Sequence, residues 1–191
     1  MNPSTGALKG VVCVRAGVVE SFHRVHVALV DSGGTTVASW GRPDITVVDR
    51  SAAKPFQAVP LVEDGVVAHF GITPSELALA AASHNGEAAH LDGVRRILLR
   101  VGCREGDLKL GPLPPLGAEA SETLFRSGEP ILPIHNNCSG QHAAMLGLAK
   151  IRDWPLESYL EADHPLQVRM LAEMSRFTGL KKEEIATMVD G

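Results

Sequence analysis

The chain has 191 residues, 45% of them hydrophobic and 21% charged, with a formal net charge of −4. This is the composition of a globular protein large enough for one sizeable core. The mild acidity gives no attraction toward nucleic acid or an anionic membrane, and apolar runs such as Leu77–Ala82 are far too short to span a bilayer.

The start, Met1-Asn2-Pro3-Ser4-Thr5-Gly6, lacks a basic stretch leading into apolar residues, so no secretory signal is expected. The cysteines, Cys13, Cys103 and Cys138, are odd in number and widely spaced. That argues against a disulfide framework and for a reducing, cytoplasmic setting. Cys13, inside Val11-Val12-Cys13-Val14, reads as a buried core thiol, whereas Cys138 alone sits among polar groups.

In chain order, residues 8–15 and 24–31 are rich in valine and predict strands. Asp31-Ser32-Gly33-Gly34 predicts a turn into a third strand over 35–40, making 24–40 a hairpin, and 45–48 predicts a fourth strand. Helix patterns follow over 51–63, ended by Gly65, and from Thr73 to about residue 82. Thr73-Pro74-Ser75-Glu76 carries the cap, first-turn proline and capping-box glutamate of a helix start. An amphipathic helix over 87–100 stops at Gly102, and 111–117 is a stiff proline-rich loop. Further helices are expected near 140–151, 156–161, 165–178 and 181–188. Strands in front and helices behind predict an α+β fold, an antiparallel sheet packed by helices.

Three segments concentrate chemistry. Ser51-Ala52-Ala53-Lys54 is a Ser-x-x-Lys word, which on a helix brings hydroxyl and amine to one face. A neutral lysine there can take the serine proton and make it a nucleophile; the plain alternative is an N-cap serine beside a solvated lysine. Ser83-His84-Asn85-Gly86-Glu87 joins two helices and either caps them or offers a second serine and an anion-holding helix start. His135-Asn136-Asn137-Cys138-Ser139-Gly140-Gln141-His142 crowds amides, a thiol, a hydroxyl and imidazoles into one loop. The spacing of His135, Cys138 and His142 is metal-like but lacks a second cysteine pair, a weak zinc signature, and on spacing alone capping by Asn136, Asn137 and Ser139 with Cys138 buried is the better account.

Together, in this order, the three segments resemble the type III (rhizobial-type, asparaginase II) L-asparaginase family. The likeness runs from Val19-Glu20-Ser21 through Arg50–Ala58, Ser83–Glu87 and Asn136–Met145 to His164-Pro165 and Asp190-Gly191. It implies a fold like that of the serine β-lactamases and penicillin-binding enzymes, incomplete at the C-terminus, with 1–191 the N-terminal part of a single catalytic domain. It implies hydrolysis of L-asparagine to L-aspartate and ammonia. Ser51 and Lys54 match the catalytic pair, Ser83 the serine of a second pair, and Arg50, His84, Asn137, His142 and Asp190 stand at substrate-side positions. Cys138 matches a zinc-ligating cysteine. No cofactor is required, no nucleic acid or membrane partner is implied, and a homodimer is left open.

The chain departs from that pattern at its metal site. Gln141 stands where the family has a lysine ligand, and Leu110-Gly111-Pro112-Leu113 replaces a Cys-Gly-Pro-His stretch. The second zinc cysteine would follow Asp190-Gly191, and the lysine partner of Ser83 later still. Zinc is therefore expected to bind weakly at most, and this stretch alone to be nearly inactive. The rival readings are another serine acyl hydrolase (a glutaminase or β-lactam-acting enzyme) and a non-catalytic small-molecule or zinc-binding relative.

Overall fold

A computed structural model describes residues 6–188. It divides into two compact units, 1–48 and 49–191. The fold is α+β, with the strands confined to the first unit and the helices to the second.

The first unit is two separate antiparallel hairpins, not the single sheet expected. Strand β1 (Leu8–Arg15) pairs with β2 (Val18–Val25), and β3 (Val27–Val30) with β4 (Thr36–Trp40). The β1–β2 loop is Ala16-Gly17, both at positive φ (48° and 79°), the mirror-type turn whose twist suits a hairpin. The strand expected over 24–31 is split at His26. Its Nδ1 accepts the Arg42 N–H at 2.7 Å, so residues 24–25 finish β2 and 27–30 form β3. The Asp31 turn holds as expected, its Oδ1 accepting the Gly33 and Thr35 N–H groups at 2.9 and 2.8 Å. Residues 45–48 form no strand, and Cys13 is exposed rather than a core thiol.

In the second unit the helix expected over 51–63 comes in pieces: a 3-10 turn (Arg50–Ala53), α1 (Lys54–Gln57) and α2 (Val59–Glu63). Pro55 and Pro60 supply the reason. Each lacks the N–H that a continuous helix would need and each sits at a helix start instead. A short α3 (Val66–Phe70) follows between left-handed Gly65 and Gly71. Helix α4 (Pro74–Ala80) begins with the expected capping box: the Thr73 side chain accepts from the Glu76 N–H while Glu76 accepts from the Thr73 N–H. Helices α5 (Ala88–Arg100), α6 (Ala118–Ser127), α7 (Ser139–Ile151) and α8 (Pro165–Thr178) complete the unit.

Two expected helices are absent. Residues 156–161 form turns around buried Tyr159, too short a run to offset helix nucleation, and 182–184 form a single 3-10 turn.

Helix α7 is the centre of the core, with Ala143–Ala149 buried against α3, α4 and α5. Gly140 allows a close approach, since a Cβ there would stand 2.8 Å from the Leu79 carbonyl oxygen of α4. That contact draws the start of α7 down beside the α4–α5 junction, where the polar segments meet.

Candidate active site

Arg50 has left-handed backbone (φ 45°), a strained conformation for a residue with a Cβ. Such strain concentrates at functional positions. The chain turns there into the 3-10 segment, which sets Ser51 on the surface and Lys54 one turn on, inside the protein.

Lys54 is only 4% exposed. Its Nζ donates to the Ala82 carbonyl at 3.1 Å, to Ser83 Oγ at 2.9 Å and to Cys138 Sγ at 3.0 Å. An ammonium has three N–H donors, and here each has an acceptor. Ser83 Oγ in turn donates to Ser51 Oγ at 2.8 Å. A continuous line therefore runs from exposed Ser51 through half-buried Ser83 to buried Lys54. The spacing of Ser51 and Lys54 suggested direct contact; instead Ser83 stands between them.

His84 is 3% exposed, and both its ring nitrogens are engaged. Nδ1 accepts the Gly86 N–H at 3.1 Å, and Nε2 lies 2.8 Å from Ser139 Oγ. Its backbone N–H donates to the Asn137 carbonyl at 3.0 Å. Burial, followed by the neighbouring His90 and Lys54 charges, pushes its pKa down to about 4.

The loop of 134–138 is held by its own side chains. Asn136 Oδ1 accepts the Cys138 N–H at 2.9 Å, and its Nδ2 donates to the Gly111 carbonyl at 2.8 Å. The proline-rich loop is pinned a second time where the Gly117 N–H donates to the Asn85 carbonyl at 2.9 Å. Gly86 (φ 78°) packs on Pro115, 2.7 Å from where a Cβ would stand, so only glycine fits.

Ser51, Lys54, Ser83 and Cys138 are thus gathered into one cluster. Asn137 flanks it, its Oδ1 lying 3.5 Å from Cys138 Sγ. His142 lies one turn along α7, where its Nδ1 stands 2.9 Å from the Tyr159 hydroxyl. Burial raises the Tyr159 pKa to about 12. Asp190 lies outside the described residues. Sequence reasoning passed over Ser139, whose hydroxyl donates to the Ile134 carbonyl at 2.9 Å, and Gln57, whose Oε1 accepts from Gln141 Nε2 at 2.7 Å. Ser139 was in view as a capping residue; nothing in the sequence marked Gln57.

The sequence profile of the L-asparaginase II family matches residues 11–191. The chain belongs to the L-asparaginase II family. No curated protein matches it closely enough for comparison.

Among the described residues of this L-asparaginase II family member, the donors do not fit the zinc that the resemblance implies. Cys138 Sγ already receives the Lys54 ammonium, the Gln141 amide is turned to Gln57, and His135 Nδ1 accepts the Leu132 N–H at 2.9 Å. Among the described residues no three His, Cys, Asp or Glu side chains stand together as a ligand set. Nor, among them, is any helix long and apolar enough to cross a membrane.

Proposed function

We propose that the chain is an asparaginase-type amidohydrolase that cleaves the side-chain amide of L-asparagine through Ser51, with Lys54 as its base. The observation that carries this reading is the hydrogen-bonded line Ser51–Ser83–Lys54. Family membership supplies the amide substrate class.

For the reaction to begin, Lys54 is in its neutral form and the line runs in reverse, with Ser51 O–H donating to Ser83 and Ser83 O–H to Lys54. Ser51 Oγ attacks the amide carbon as its proton passes to Ser83 and the Ser83 proton passes to Lys54. The tetrahedral adduct collapses to a β-aspartyl ester of Ser51 as the Lys54 proton returns along the line to the departing ammonia. Water, deprotonated by the same route, then attacks the ester and frees aspartate and Ser51. Exposed Ser51 meets substrate while buried Lys54 is shielded from bulk water, the order of burial this route requires.

The remaining assignments belong to the same reading. Arg50 and Asn137, which directly precede Ser51 and Cys138 in sequence, and His142 on α7 contribute substrate contacts. A serine–lysine helix start beside a serine-bearing loop is the arrangement of the serine β-lactamase and penicillin-binding fold, to which we assign the catalytic unit. The protein works in the cytoplasm on a small-molecule substrate.

The test is ammonia release from L-asparagine, L-glutamine and, in parallel, opening of a chromogenic β-lactam, with a diazoketone analogue of asparagine to trap the nucleophile. Turnover of asparagine by the full-length protein, with the label on Ser51, is the expected result. Selective turnover of glutamine or the β-lactam would move the substrate assignment, and a label elsewhere would remove Ser51 as nucleophile.

A further inference from the structure

Ser83 can join Ser51 to Lys54 only if its short turn is held still, and the side chain after it is built to do so. His84 is buried to 3% exposure, and its ring reaches one backbone N–H and one side-chain hydroxyl from separate segments. Its ring closes the turn on which Ser83 sits, Nδ1 accepting the Gly86 N–H at 3.1 Å. An imidazole nitrogen that accepts carries no proton, so in the neutral ring the proton is on Nε2. Nε2–H therefore donates to Ser139 Oγ at 2.8 Å, and the single Ser139 proton goes to the Ile134 carbonyl at 2.9 Å. Every proton in this chain of three groups has one place.

The elements tied together are those that carry the reacting groups. One end is the 82–86 turn, which supplies the Ala82 carbonyl and Ser83 Oγ to Lys54. The other is the start of α7, which supplies Cys138 Sγ to the same Nζ. The His84 main chain adds a second tie, its N–H donating to the Asn137 carbonyl at 3.0 Å. The ring also stacks on His90 of α5, with centroids 5.5 Å apart. With both nitrogens spent, the imidazole has no hydrogen-bonding atom left for a substrate, which revises the substrate contact expected of it.

We infer that His84, in its neutral Nε2–H form and bonded to Ser139, is a positioning residue that fixes the Ser83 hydroxyl between Ser51 and Lys54. A ring protonated on both nitrogens would turn a donor against the Gly86 N–H, and its low pKa, about 4, agrees with the neutral form this requires. Misplacing a catalytic group by an ångström can cost on the order of 100-fold in rate. The inference rests on the proposed Ser51–Ser83–Lys54 reading, so its test separates the two.

Three variants of the full chain are compared with wild type: His84→Ala, which removes the tie; Ser139→Ala, which removes its acceptor; and His84→Gln, which keeps an N–H near the Nε2 position. Asparagine turnover gives kcat and KM, and the rate of Ser51 phosphonylation by a fluorophosphonate, read by mass spectrometry, reports the nucleophile without any assumption about substrate. His84→Ala and Ser139→Ala are expected to lower kcat by on the order of 10- to 100-fold, with KM little changed and phosphonylation slowed in parallel. His84→Gln is expected to restore most of both. If one alanine variant does not fold, the other decides.

A folded alanine variant with wild-type kcat and labelling overturns the inference. So does a change confined to KM, which would return His84 to substrate contact. A wild type that labels at Ser51 but ignores asparagine defeats the substrate assignment alone, and the labelling rates then judge His84. A wild type that does not label at Ser51 removes the line and the positioning role with it.

Discussion

Replacing Ser83 with alanine puts the proposed proton route to its most direct test. Among the described residues the Ser83 oxygen is the one atom hydrogen-bonded to both partners, 2.8 Å from Ser51 Oγ and 2.9 Å from Lys54 Nζ. Alanine removes both bonds and, among the described residues, leaves no oxygen bridging the proposed nucleophile and base. General-base assistance is worth roughly 10²- to 10⁴-fold, so kcat should fall by about that factor, or about 3–5 kcal/mol of barrier. Lys54→Met should cost as much, and the double variant no more than the worse single one, because both remove the same proton transfer. Lys54 also loses one of its three acceptors in Ser83→Ala, at about 1–3 kcal/mol of stability. Kinetics are therefore run well below the melting temperature, with circular dichroism confirming the folded state. Measured kcat for asparagine within about threefold of wild type would refute the route, because general-base catalysis through the lost oxygen would then contribute almost nothing.

The other expectations are spectroscopic or thermodynamic. Because burial lowers His84 from 6.5 to about 4, the unfolded chain binds a proton in that window which the native protein refuses. Its contribution, about 3 kcal/mol, is complete above pH 6.5 and is lost as pH falls toward 4; denaturant melts of wild type and His84→Gln across this range should diverge by that slope, and parallel curves would rule it out. Tyr159 is the chain's one tyrosine, so tyrosinate absorbance reports it alone, and the folded protein should ionise near pH 12 rather than near 10, with stability complete below 10 and lost as pH rises toward 12. A folded-state transition near pH 10 would contradict its burial. Zinc added to the protein and dialysed against a chelator should leave well under one equivalent, by elemental analysis, while tight retention would mean that His135 or His142 had moved to join Cys138.

The grouping of Ser51, Lys54, Ser83 and Cys138 into one cluster was legible in the sequence. Ser51, Lys54, Ser83 and Cys138 were marked because each set an unexpected chemical group beside helix punctuation, and such local words survive folding intact. Their order in space was not legible. A spacing of three along a helix suggests that Ser51 and Lys54 touch, but Pro55 breaks the helix there, and packing of α7 on α4 through Gly140 brings Ser83 between them. The Thr73 capping box was legible because all its partners lie within one turn. The β1–β2 hairpin was not, since Ala16 is a poor signal for a turn that needs positive φ. His26 likewise gave no sign that its ring would take the Arg42 N–H and divide a run of strand-forming residues.

Cys138 and Gln141, the positions at which the resemblance places a metal, are both engaged by other protein groups. A metal bound to Cys138 would compete with Lys54 for the same sulfur, which here lies 3.0 Å from Nζ. With a glutamine at position 141, the side chain that would face such a metal ties α7 to Gln57 of α1 at 2.7 Å. Lys54 belongs to that same helix, so the bond helps hold Nζ opposite its acceptors. Those acceptors come from two chain segments, Ala82 and Ser83 on one side and Cys138 on the other, and both segments are joined again through His84 and Ser139. The position of Lys54, the proposed base, is thus fixed by protein hydrogen bonds drawn from three elements.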